Sequence, residues 1–183
     1  PSATAVQPVL AQVLYGAGDL LGILEDFSTA VACLEESLTF FRILADRRQM
    51  VLALQRLAEI GDSQGNLVAA TVVAKESLTL ARTLQDVWLV ARSLAILASL
   101  AHETGDQIEQ GIAYGQEALG LLRQLQNRGD MVYLLNVLGQ LACTQQTPDA
   151  ATRLLREALS LTQAEVTMNL GGQAWTLRNL GWA

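Results

Sequence analysis

His102 is the only histidine of this chain, and it stands beside Glu103 and near Asp106. A histidine next to carboxylates can act as a general base, but it then needs a nucleophile or a metal within reach. No second histidine and no serine–histidine–aspartate ordering accompanies it, so it reads as a polar groove or turn residue. Four glutamates recur: Glu36, Glu76, Glu117 and Glu157. Carboxylates in pairs do acid–base work. These sit about a repeat apart on separate elements, which is too far, and they read as a solvated face. Cys33 and Cys143 show neither metal-ligand spacing nor a disulfide framework. They read as two small buried apolar residues, compatible with a reducing cytoplasmic setting. The glycine-rich turn at 61–65 lacks the lysine of a phosphate loop and precedes no strand–helix unit. No catalytic residue, cofactor site or metal site follows from these residues, and the chain reads as a non-enzyme.

The elements that must position these residues repeat. Glu36-Ser37-Leu38, Glu76-Ser77-Leu78, Glu117-Ala118-Leu119 and Glu157-Ala158-Leu159 are spaced 40, 41 and 40 residues apart. Each is followed by a bulky residue, Phe40, Leu80, Leu121 or Leu161, and three carry Arg at one offset: Arg42, Arg82 and Arg123. A period of this length means a stacked array in which each unit buries its apolar side on the next. The apolar fraction of 51% supplies that burial. The net charge is −6, Lys75 is the sole lysine, and Arg47-Arg48 is the densest basic spot. Phosphate-based nucleic-acid binding and a basic membrane-surface helix are both disfavoured. The longest uncharged stretches, 1–18 and 131–148, contain too many polar residues for a membrane span.

Apolar spacing is helical throughout, and breakers fall twice per period. The pattern predicts first helices at about 7–23, 48–61, 87–103, 130–144 and 172–182. Second helices are predicted at about 27–45, 67–84, 107–126 and 149–164. Pro148 suits a helix start, with Thr147 as N-cap. The expectation is one all-α repeat domain over 1–183. It is a right-handed α-solenoid of antiparallel helix pairs, about four and a half repeats long (7–45, 48–84, 87–126, 130–164 and a half-repeat at 172–182). The chain lacks an initiator Met and stops within a repeat, so it reads as a piece of a longer protein.

The residues within each unit resemble the tetratricopeptide repeat. Leu138-Gly139 and Leu180-Gly181 match the small site of the first helix, and Ala17-Gly18, Leu57-Ala58 and Leu97-Ala98 come near it. Gly65-Asn66 and Gly105-Asp106 match the inter-helix turn. Ala30, Ala70, Gly111 and Ala151 match the first small site of the second helix, and Ser37, Ser77, Ala118 and Ala158 match the second. Small residues there let paired helices approach closely. The period of 40 departs from the standard 34. The text at Glu76–Asp86 is similar to the arrays of bacterial signal-transduction ATPases and LuxR- or MalT-type regulators. It is also similar to the long-repeat adaptors of spindle orientation.

The resemblance implies that first helices line a concave groove. Mapped onto this chain, the groove positions are Gln12, Tyr15 and Asp19; Leu52, Gln55 and Glu59; Arg92, Ala95, Ser99 and His102; Tyr133, Asn136 and Gln140; and Trp175, Arg178 and Trp182. Helical spacing puts each set on one face independently of the family. The mixed polar character suits a wet groove, with Tyr133, Asn136, Gln140 and Arg92 as the leading contacts. The family's carboxylate clamp cannot be assembled, because Lys75 lies on a second helix. The expected function is a regulatory module that binds a protein or peptide segment, or another domain of its own protein, or senses a ligand in signal transduction. The alternative is a scaffold that self-associates. Trp175, Leu177, Leu180 and Trp182 crowd the last helix, so that helix either docks as a cap or forms a homodimer.

Overall fold

The computed structural model describes residues 3–105, 107–163 and 170–181. The chain is all-α: α1 Ala3–Ile23, α2 Phe27–Ile43, α3 Arg47–Ser63, α4 Leu67–Leu84, α5 Val87–Thr104, α6 Ile108–Leu125, α7 Arg128–Thr144, α8 Pro148–Gln163 and α9 Leu170–Leu180. No strand occurs among the described residues. Packing divides the chain into two compact units, 1–96 and 97–183, with the division inside α5. In the first unit α1 pairs with α2 and α3 with α4, and the pairs stack through α2 on α3. In the second unit α7 pairs with α8, α6 packs on α7, and α9 packs on both α7 and α8. First helices also meet directly, α1 with α3 and α7 with α9. This is the stacked helix-pair solenoid expected from the repeat. The docked-cap reading of the last helix agrees with where α9 sits, while Trp182 lies outside the described residues.

Turns set the element lengths. A residue with positive φ closes each link: Glu25, Ala45, Gly65, Gln85, Gly105, Gln126 and Gln146. The next residue then opens the following helix, except at α6, whose N-cap is Gln107, itself at positive φ. Asp26, Asp46 and Asn127 accept the backbone N–H of Thr29, Gln49 and Asp130 at 3.3, 3.2 and 3.1 Å. Asp86 accepts that of Leu89 at 3.1 Å. Each such cap satisfies a donor the helix leaves open. Ala45 in the left-handed region explains why α2 stops at Ile43, short of the expected 45. Two expectations change. α1 starts at Ala3, so Pro8 sits in its second turn, where it removes one ladder bond. Thr147 precedes α8, but its hydroxyl donates to the Ala142 carbonyl at 2.9 Å and is not a side-chain cap.

The small sites are where the pairs meet. Ala30, Ala70 and Ala151 are buried, as are Ser37, Ser77, Ala118 and Ala158. Around them Leu38, Phe41, Ala53 and Leu54 form one core cluster, and Leu34 joins Ala30 and Ile60 in a second. A Cβ on Gly139 would lie 2.7 Å from Leu155 Cδ2, and one on Gly18 would lie 2.6 Å from Leu34 Cγ. The recurring glutamates are more than a solvated face. Arg42 pairs with Glu76 at 3.2 Å and Arg123 with Glu157 at 2.7 Å, joining successive second helices within a unit. Both pairs are about half exposed, so each adds little stability.

Two glycines of α6 test this packing with opposite signs. A Cβ at Gly111 would meet the Ala101 Cβ at 2.6 Å, where neither side chain can swing away. Gly111→Ala should therefore destabilise by about 1–3 kcal/mol. Gly120 has nothing within 4 Å, so Gly120→Ala should stabilise by about 0.5–1 kcal/mol through helix propensity. Denaturant midpoints check both. Two variants shifting in the same direction would defeat this account of the packing.

Candidate functional site: the first-helix faces

In the first unit, charge runs along successive first helices. Arg56 of α3 faces the Asp19 carboxylate of α1 through its Nε, in an ion pair without hydrogen-bond alignment. Its Nη2 donates to the Asp19 backbone carbonyl at 3.3 Å, and its Nη1 to Glu59 at 2.6 Å. Glu59 also accepts from Arg92 of α5 at 2.9 Å. The Arg92 guanidinium lies 5.6 Å from the centre of the Trp88 ring, a cation–π distance. Tyr15 stands near this chain of charges and packs at 6.5 Å against Phe41. Burial raises its phenol pKa above the ordinary 10.0, and the Asp19 carboxylate raises it further. Arg92 and Arg56 oppose that shift. Arg56 was not among the expected contacts, although it makes two of the ion pairs just described. It lies one residue from Gln55, just off the expected stripe.

Two expected contact residues do not face a groove. Gln55 and Asn136 are fully buried. Gln55 Nε2 donates to the Leu89 carbonyl at 3.0 Å and to Ser93 Oγ at 2.9 Å, and Ser93 in turn meets Ser77 at 2.7 Å. Asn136 Nδ2 donates to the Val132 carbonyl and to Thr176 Oγ1, both at 2.9 Å. Asn136 Oδ1 accepts from Asn179 at 3.0 Å. In these two stripes the middle lies where neighbouring first helices touch, so these amides join helices and are closed to a partner. Ala95 is buried as well.

In the second unit the open positions flank that buried middle. Tyr133 is exposed and stacks at 5.7 Å on Trp175, with planes inclined by 35°. At the other end, His102 of α5, Gln140, Cys143 and Thr144 of α7, and Asn179 of α9 line a cavity of about 170 Å³. His102 Nδ1 lies 3.2 Å from Glu103. Ser99 is half-buried, Arg178 is exposed, and Gln12 is exposed. Both cysteines are free thiols and only half-buried, not the buried pair expected. Asn179 was missed. It stands three residues after Thr176, so the two share a helix face, one position off the mapped stripe of Trp175, Arg178 and Trp182. Among the described residues no three of His, Cys, Asp or Glu cluster to hold a metal ion. No helix of the described residues is long and apolar enough to cross a membrane.

No protein-family model matches the chain, and no curated protein matches it. Among solved structures, the crystal structure of BtubC (BKLC) from P. vanneervenii is similar over 98% of this chain and 73% of that one. The TM-score is 0.82 at 22% sequence identity. The likeness is one of fold.

Two measurements check the electrostatic and polar placements. Below the ordinary phenol pKa, Tyr15 is protonated whether folded or unfolded, and pH has no leverage through it. Above that value the unfolded phenol ionises first, so stability falls as pH rises toward the folded value. Denaturant midpoints between about pH 9 and 11 should fall less steeply for Tyr15→Phe than for the native chain. Equal slopes would contradict the raised pKa. Asn136→Ala should cost about 1–3 kcal/mol, because it strands the buried Asn179 amide. Gln140→Ala, at a half-buried position without a hydrogen bond to its side chain among the described residues, should stay within about 0.5 kcal/mol. Equal melting temperatures for these two variants would overturn the burial reading.

Proposed function

We propose that the chain is a non-catalytic binding module that takes a peptide segment along its first-helix faces, as the resemblance to tetratricopeptide arrays implies. One observation carries the proposal. The Asp19–Arg56–Glu59–Arg92 chain holds donors and acceptors in fixed, half-exposed positions beside Tyr15 and Trp88. A merely solvated face would hold long side chains loosely. Here they are braced against one another, so ordering them on binding costs little. Two guanidiniums and two carboxylates nearly cancel, which suits the hydrogen-bonding edge of a polypeptide more than a strongly charged ligand. In the second unit, the Tyr133–Trp175 pair adds an apolar platform of the kind that anchors a partner side chain. A regulatory, signal-transducing and cytoplasmic role is the setting in which such a module is expected.

Self-association remains the second reading, favoured by one specific feature. Val6, Val9, Val13 and Leu20 leave an apolar stripe exposed on α1, and Leu177 is 54% exposed on α9. Apolar surface of that extent marks an interaction or an aggregation site. A second copy of the chain would cover it.

The test screens the intact chain against an array of unbiased peptides. Arg92→Ala should weaken peptides held on the first unit about tenfold, and Tyr133→Ala those held on the second, as removal of a partly buried contact does. Arg42→Ala, on a second helix, should leave them unchanged. Loss of binding with Arg42→Ala alone would move the site to the second helices. A chain that selects no peptide, yet sediments as a dimer that Leu177→Glu or Val13→Glu dissociates, would favour the scaffold.

A further inference from the structure

We infer that the cavity at the link between α6 and α7 is a site for an apolar monocarboxylate, one carboxylate group carried on a hydrocarbon body. Arg123 of α6, Gln126 of the link, Arg128 and Met131 of α7, and Leu161 of α8 line about 510 Å³. All five belong to the second compact unit. The lining shares no residue with the peptide face above, and the inference does not depend on that reading.

Its starting point is a cation without a structural task. Arg128 is exposed, and its side chain has neither an ion pair nor a hydrogen bond among the described residues. It is the first residue of α7, where a positive charge opposes the helix dipole. Asp130, the acid of that first turn, is held by the Asn127 amide at 2.6 Å. Helix stacking does not require an arginine there, since α5 opens on Val87 at the equivalent position. The same residue types do recur two repeats earlier as Arg42, Arg47, Met50 and Leu80. The set is therefore a feature of the repeat that the middle link drops.

The second guanidinium is only partly committed. Arg123 turns Nη2 to Glu157 at 2.7 Å, and a guanidinium has further N–H donors in its plane. Two guanidiniums against one carboxylate leave one positive charge at the cavity. Gln126 adds a neutral amide. The backbone that carries these groups is fixed, because the Gln126 N–H donates to the Arg123 carbonyl at 3.2 Å and the Asn127 N–H to the Leu122 carbonyl at 3.1 Å. The remaining lining is apolar, with Met131 buried and Leu161 half-buried.

This lining selects by charge and by polarity. Arg128 repels a cation. A neutral amide or alcohol makes weaker bonds to a guanidinium than an anion does. A phosphate monoester brings roughly two negative charges at neutral pH, more than the one left open, and crowds Glu157. A carboxylate brings one charge and meets the guanidinium fork with both oxygens. A bare carboxylate leaves Met131 and Leu161 uncovered, so the acid carries hydrocarbon. The volume falls in the roughly 300–1,000 Å³ range of small-molecule pockets, which is room for both parts. The same chemistry comes from a free acid or from a glutamate beside leucine in a polypeptide.

The experiment titrates the intact chain with octanoate, octanamide, octyl phosphate and acetyl-Leu-Glu-Leu N-methylamide, following the Met131 and Leu161 methyl resonances. Octanoate should bind about tenfold tighter than octanamide. Arg128→Gln should remove that advantage. Arg153→Gln, at an exposed arginine of α8 outside the lining, should keep it, with thermal melts checking that both variants fold. A peptide as tight as octanoate, and equally sensitive to Arg128→Gln, would name an acidic side chain as the source; a weaker one would name the free acid. Octyl phosphate binding tighter than octanoate would overturn the choice of carboxylate. Equal affinity for octanoate and octanamide, equal effects of the two arginine variants, or methyl shifts still unsaturated at about 10 mM acid would overturn the site.

Discussion

Everything in this chain depends on how closely two helices of a pair can approach. Gly18, Gly139 and Gly111 sit where an added Cβ would fall within 2.6–2.7 Å of a neighbour. Ala30, Ala70, Ala151 and the serines at 37 and 77 are buried at the corresponding sites. Interaxial distance follows from the side chains at the contact. Small residues bring the backbones together, and the large residues around them, Leu34, Phe41, Leu138 and Leu155, then fill the flanks. The repeat cannot drift by a residue, because a one-position slip would put a leucine where only an alanine or glycine fits. The register of the whole array, and with it the position of every polar residue on the first helices, is inherited from these sites.

That dependence explains what was legible. The small sites recur in sequence at the same offset as the Glu-Ser/Ala-Leu text, so the pairing and the approximate helix ends followed from spacing alone. The turns were legible only where glycine marked them. Gly65 and Gly105 advertise a left-handed backbone, whereas Glu25, Ala45, Gln85, Gln126 and Gln146 adopt it against a local cost of about 1–2 kcal/mol each. The turn positions recur every twenty or twenty-one residues. An Asp, Asn or Thr follows at the five non-glycine links, and at the four with Asp or Asn a side-chain cap offsets part of that cost. The sign of this half-period was the capping residue, not the residue under strain.

The candidate site was half legible for a different reason. Helical spacing assigns residues to one face, but a face in a stacked array has two fates along its length. Tyr15, Asp19, Glu59 and Arg92 lie on its outer part, where side chains reach solvent and one another. Gln55 and Asn136, equally polar and in the same stripe, lie on the seam where one first helix meets the next. Composition cannot separate these fates, since an amide serves a wet groove and a dry seam equally well. Only the direct meetings of first helices, α3 with α5 at Gln55 and α7 with α9 at Asn136, decide it.

On the proposed binding reading, the seam amides matter by fixing the side chains that remain open. A buried amide that donates to a backbone carbonyl cannot flip without losing two bonds, and its neighbour inherits that orientation. In the second unit the order runs from the Val132 carbonyl through Asn136 to Asn179, each step removing one choice. In the first, Gln55 is held by the Leu89 carbonyl and Ser93, one residue from Arg56, which carries the charge chain. Replacing such amides by apolar groups would save their desolvation, as buried polar groups seldom add net stability. What would be lost is the definite direction of the groups beside them. A binding face made of short polar side chains on rigid helices needs that direction more than it needs extra stability. On the proposed binding reading, the polar seam between first helices is the support for the face that would hold the peptide.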